Sequence, residues 1–105
     1  MARKLIIFEG ALCCSTGICG PEPDKPLIQL NEDVKRLRVE FPQNSIIRVS
    51  LSFNAGAFLE HPEITKLVNE MGTEILPITS LNGKILSKRR YMSYEEMKAA
   101  LLGAE

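Results

Sequence analysis

Ile75-Leu76-Pro77-Ile78-Thr79-Ser80-Leu81-Asn82-Gly83-Lys84-Ile85-Leu86-Ser87 sets two short apolar runs on either side of an Asn-Gly pair. Asn-Gly accepts the two positive-φ positions of a tight type I′ turn, so residues 75–79 and 84–87 are expected to pair as an antiparallel hairpin. Pro77 stands at the head of the first run. A central strand does not normally accept a residue without an N–H, so a special turn is expected there.

Working outward toward the amino terminus, residues 62–71 place Ile64, Leu67, Val68 and Met71 on one helical face, with Pro62 at the start and Gly72 as the stop. A short helical piece near residues 55–59 precedes them. Residues 45–51 are rich in Ile and Val and read as a strand. Before it, Leu27, Leu30, Val34 and Leu37 recur every three or four residues behind a candidate cap at Asp24, which predicts a helix ending before Pro42. Residues 3–8 form a further apolar run, bounded by Glu9 and Gly10, that suits a buried strand. Between the two, residues 10–23 hold Gly17, Gly20, Pro21 and Pro23 with no sustained period and read as a long loop. Toward the carboxyl terminus, Ser93 and Glu96 make a capping box for a last helix carrying Tyr94, Met97 and Leu101.

The resulting order is βαβαββα, an α/β chain in one domain over residues 1–105, with parallel strands joined through the first helix and antiparallel strands in the hairpin. A mixed four-stranded sheet covered by helices on both faces would bury these elements. This arrangement resembles thioredoxin, and the resemblance implies a cis bond between Leu76 and Pro77 beside the functional loop.

Composition narrows the function. Thirteen basic residues balance thirteen acidic ones, so no net field draws the chain to nucleic acid or anionic lipid. No stretch approaches the roughly 20 apolar residues that span a bilayer, and the apolar run after Met1-Ala2-Arg3-Lys4 is too short for export. A cytoplasmic protein without a membrane partner is expected. Closely spaced cysteines in a reducing compartment point to metal binding or catalysis rather than to a disulfide framework.

All three cysteines, Cys13, Cys14 and Cys19, fall in the long loop. Neighbouring Cα atoms are about 3.8 Å apart across a trans peptide, below the usual disulfide range, so a Cys13–Cys14 bridge is disfavoured. A bridge from Cys19 to either is sterically easier, which keeps thiol redox chemistry as an alternative. Structural zinc wants four ligands, and the sole histidine, His61, sits at a later helix start. An iron–sulfur cluster is harder still to accommodate. Trivalent arsenic or antimony is satisfied by three soft ligands in a pyramid, because a lone pair occupies the remaining side, and thiolate is the soft side chain. Gly17 lets the chain return so that Cys19 can close such a set. No lysine or arginine lies between Lys4 and Lys25, and Glu9 opposes thiolate formation, so the ion itself must expel the thiol protons.

The run Cys13-Cys14-Ser15-Thr16-Gly17-Ile18-Cys19-Gly20 closely resembles the signature loop of the ArsD family, and the flanking strand, helix, Pro77 and Asn82-Gly83 follow in the corresponding order. That resemblance covers nearly the whole chain. It implies an arsenic metallochaperone, not an enzyme and with no required cofactor, that carries As(III) or Sb(III) as cargo on Cys13, Cys14 and Cys19. Glutathione is implied as a candidate donor and the ArsA ATPase of the arsenite efflux pump as recipient; a second copy of the chain is a further candidate partner. The family is also described as a weak trans-acting repressor of its operon, which would make operator DNA a ligand. The sequence shows no helix-turn-helix pattern, and Lys88-Arg89-Arg90 reads as a solvated loop. Some members carry vicinal cysteine pairs near the carboxyl end. This sequence has none there, so one metalloid site is expected.

Overall fold

The computed structural model describes residues 3–10, 25–51 and 55–103. Strand β1 (Lys4–Glu9) leads to helix α1 (Lys25–Glu40) and strand β2 (Ser45–Ser50). Helices α2 (Ala55–Leu59) and α3 (Pro62–Met71) follow, then a 3₁₀ turn (Thr73–Ile75), strands β3 (Ile78–Leu81) and β4 (Lys84–Lys88), and helix α4 (Tyr94–Leu101).

The strands form one sheet in the order β2-β1-β3-β4, with β1 parallel to β2 and antiparallel to β3, and β3 antiparallel to β4. Successive side chains on β1 point to opposite faces, and both faces are covered. Leu5 and Ile7 pack with Leu27, Leu30, Val34 and Leu37 of α1, and with Met97 and Leu101 of α4. Ile6 and Phe8 pack with Phe58, Ile64, Ile75 and Ile78. This is the expected mixed four-stranded sheet flanked by helices.

Local chemistry fixes the ends of the elements. Asn82 and Gly83 take φ of 51° and 87°, as the hairpin turn requires. Ser93 Oγ accepts from the Glu96 N–H at 3.2 Å while Glu96 Oε1 accepts from the Ser93 N–H at 2.9 Å, which completes the capping box. His61 is the residue before α3, with Pro62 in the first turn. Arg38, on the last turn of α1, donates from Nε and Nη2 to the Ile46 carbonyl at 3.0 and 2.8 Å, covering an outward group of the sheet's open edge.

The structure departs from the sequence reading at β3, at Met71 and at β1. β3 starts at Ile78 rather than at residue 75, because Thr73–Ile75 close a 3₁₀ turn and Pro77 brings no N–H to the ladder. Met71 lies at the last turn of α3 and is 49% exposed, beyond the reach of the core that takes Ile64. β1 continues one residue further, so that Glu9 is its last paired position, opposite Ser50, and is fully buried.

The two extremities of the described chain meet. A Cβ built on Gly103 would lie 2.7 Å from Arg3 Nη2, so the Arg3 side chain rests against Gly103. Nearby, the backbone N–H groups of Arg3 and Lys4 donate to the side-chain oxygens of Asn44 and Asn82.

Candidate functional site

Strand pairing brings four strand termini together at one end of the sheet. Phe8 is opposite both Val49 and Ile78, and Ile78 is opposite Lys88, so the close of β1, the close of β2, the start of β3 and the close of β4 share that end. The chain departs from it at Gly10 and rejoins the fold at Lys25. Because Arg38 touches Ile46 near the start of β2, the carboxyl end of α1 lies at the opposite end of the sheet and its amino end, with a partial positive charge, returns toward Gly10. Cys13, Cys14 and Cys19 belong to the intervening segment and lie outside the described residues.

The Leu76-Pro77 bond is cis and leads directly into Ile78, the partner of Phe8. The Phe8 ring meets Phe58 edge-on at 5.3 Å between centroids, and His61 at 5.1 Å. His61 Nδ1 stands 3.6 Å from Glu63 Oε1. It sits at a helix start, as the sequence predicts, and packs against an aromatic ring. No group of three or more His, Cys, Asp or Glu side chains suited to a metal occurs among the described residues.

Sequence reasoning missed a buried ionic cluster on the other face. Glu9 accepts from Arg48 Nε and Nη2, each at 2.7 Å, and from the Tyr91 hydroxyl at 2.7 Å. The Glu9 and Arg48 side chains are 1% and 8% exposed. The parallel register makes this pair: Arg48 is opposite Ile7, two residues before Glu9 on the same face, within reach of a long side chain. Both charges leave water, and the fork of the guanidinium meets both carboxylate oxygens. The sequence reading treated Glu9 as an uncompensated negative charge opposing thiolate formation; Arg48 supplies the compensation. Nothing near Glu9 in sequence announces a partner 39 residues away. The one available signal was an arginine inside the run Ser45-Ile46-Ile47-Arg48-Val49-Ser50, where an apolar residue would serve a buried strand.

The basic run after β4 is divided. Arg90 donates to both oxygens of Glu96, at 2.9 and 2.8 Å, and with the Ser93 N–H holds that carboxyl down at about 2. Lys88 and Arg89 are exposed.

Comparison with known proteins places the chain in a family. Residues 2–104 match the family described as arsenical resistance operon protein ArsD. An ArsD protein of Halobacterium salinarum is 40% identical over 94 residues, covering 90% of this chain and 86% of that protein. The arsenical resistance operon trans-acting repressor ArsD of Escherichia coli is 30% identical over 95 residues, covering 90% of this chain and 78% of that protein. Among solved structures, the arsenical resistance operon trans-acting repressor of Bacteroides vulgatus superposes with a TM-score of 0.83 at 23% identity, covering 100% of this chain and 96% of that one. Fasciola hepatica thioredoxin superposes at 0.55 with 13% identity, covering 99% of this chain and 82% of that one. The fold is therefore thioredoxin-like, and the chain belongs to the ArsD family of arsenical resistance operon proteins.

Proposed function

We propose that this chain is a metallochaperone that takes As(III) or Sb(III) on the thiolates of Cys13, Cys14 and Cys19 and passes it to the ArsA ATPase of the arsenite efflux pump. The observation that carries the reading is the placement of all three cysteines within seven positions of the segment joining β1 to α1, in a chain of the ArsD family. The chemistry balances without a cofactor. Neutral arsenous acid and three thiols give a neutral trithiolate and three waters, each As–O bond being exchanged for an As–S bond while the thiol proton leaves with the hydroxide. Stepwise exchange of one sulfur at a time also allows cargo to arrive from glutathione and depart to a recipient thiol.

Titration of the reduced protein with arsenite, reading free thiols, tests this: one equivalent should protect three thiols, and Cys19→Ala should bind far more weakly. Unchanged affinity in that variant would exclude the three-thiol site. A thiol redox protein would instead turn over a disulfide substrate.

The names of the relatives support a second reading, operator binding as a repressor. Lys88 and Arg89 would be its phosphate contacts, since Arg90 is engaged by Glu96. A gel-shift series in rising salt, with and without arsenite, separates sequence-specific binding from charge alone.

A further inference from the structure

We propose that the cavity between the β3–β4 hairpin and α4 is a binding site for a small organic carboxylate with an apolar body. It measures about 550 Å³, inside the range of about 300–1,000 Å³ over which small-molecule sites fall. The cavity lies beside the hairpin turn, at the end of the sheet where β1 begins. Every residue that lines it is outside the cysteine-bearing segment, so the inference stands or falls independently of the metallochaperone reading.

The floor of the cavity is apolar. Leu81 of β3 and Ala100 of α4 are buried, and Leu86 and Met92 pack against the same core. On this side α4 presents Ala99 and Ala100, whose methyl groups leave space that larger side chains would take. The rim, by contrast, is made of donors. Arg3 is half-buried and Lys84 exposed, and among the described residues neither side chain has a carboxylate or a hydrogen-bond partner. Asn82 Oδ1 is committed to the Lys4 N–H at 2.8 Å, which leaves the NH₂ group as what this side chain can still offer. Glu96 also lines the cavity, but Arg90 donates to both of its oxygens and the Ser93 N–H to one of them, so its charge is already offset. Donors without a free acceptor call for an anion, and the guanidinium fork matches the plane of a carboxylate. The floor calls for a hydrocarbon body. A bare inorganic anion would leave the floor uncovered, and a neutral hydrocarbon would desolvate the half-buried guanidinium without pairing it.

The test titrates the full isotope-labelled chain with naphthylacetate and follows amide shifts by NMR. Two companions dissect the ligand: naphthylethanol keeps the body and loses the charge, and acetate keeps the charge and loses the body. Naphthylacetate should move the amides of residues 81–86, Met92, Ala99 and Ala100, and each companion should bind at least about tenfold more weakly. Arg3→Gln should weaken naphthylacetate binding about tenfold, as expected for the loss of one charge-assisted pair, and Lys84→Gln should weaken it less. Ala99→Leu fills the space from a position where leucine is a good helix former, so it should abolish binding while circular dichroism shows the fold intact. Lys66→Gln, on α3 and away from the cavity, should keep the parent affinity. No shifts at these residues in millimolar naphthylacetate, equal affinity for naphthylethanol, or unchanged affinity in Arg3→Gln would overturn the proposal. Shifts there that follow protein concentration without ligand would assign the face to a second copy of the chain and overturn it too. So would markedly tighter binding in Glu105→Gln, because a carboxylate of the chain itself would then be the occupant.

Discussion

Replacing Arg48 by Met is expected to be among the most damaging single changes outside the apolar core. The guanidinium fork meets both oxygens of Glu9 at 2.7 Å, with side chains 8% and 1% exposed, so water cannot take over when the cation is lost. Tyr91 would remain as one donor to a buried carboxylate. Breaking such a pair from one side costs about 3–5 kcal/mol. Since domains of this size are held by about 5–15 kcal/mol in total, a large share of stability would go. With a urea slope of about 1.5 kcal/mol per molar, the unfolding midpoint should fall by about 2–3 M. The decisive comparison is the double variant Glu9→Leu with Arg48→Met. It removes both charges and should recover much of the loss, because no uncompensated charge stays buried. The coupling should change little between low and high salt, because a buried pair is poorly screened. A loss below about 1 kcal/mol in Arg48→Met, or a double variant less stable than Arg48→Met alone, would show that the carboxylate is not enclosed and paired as described.

Further outcomes follow from single features of the fold. Ser93→Ala removes the hydroxyl that accepts from the Glu96 N–H and should cost about 1 kcal/mol in a urea melt. Gly83→Ala meets no steric obstacle but places a side chain at φ 87°, so a loss of about 1–2 kcal/mol from backbone conformation alone is expected in thermal melts. Glu96 has a folded pKa depressed to about 2, first by Arg90 and then by the Ser93 N–H. Its contribution is therefore fully present above the ordinary carboxylate range and is lost as pH falls through about 2. Carboxyl titration by NMR should show this, and Arg90→Ala should move the midpoint up toward the ordinary value.

How much of this could be read from the sequence depended on the range of the interaction. Period-two and period-3.6 patterns are local, so all four strands and the principal helices were legible, as were the Asn82-Gly83 turn and the Ser93–Glu96 box. The start of β3 was not, because the apolar pattern of residues 75–79 is the same whether Ile75 is buried from a strand or from a 3₁₀ turn. Met71 continued the helical stripe of α3 but extended past the core. The proposed thiol site rests on residue type and spacing alone, since its three cysteines lie outside the described residues. Glu9 looked like the polar end of a strand. Its burial depends on a parallel register with β2 and on a tyrosine 82 residues away, which no local pattern encodes.

The meeting of Arg3 with Gly103 has a practical consequence. Both extremities of the described chain lie where β1 begins, and the six residues of that strand carry the chain about 20 Å to Gly10. A protein immobilised on a sensor surface through either extremity would turn the end of the sheet at which β1 closes toward the solution. A short peptide joining the two would close the chain into a ring without crossing the end of the sheet where β1 closes.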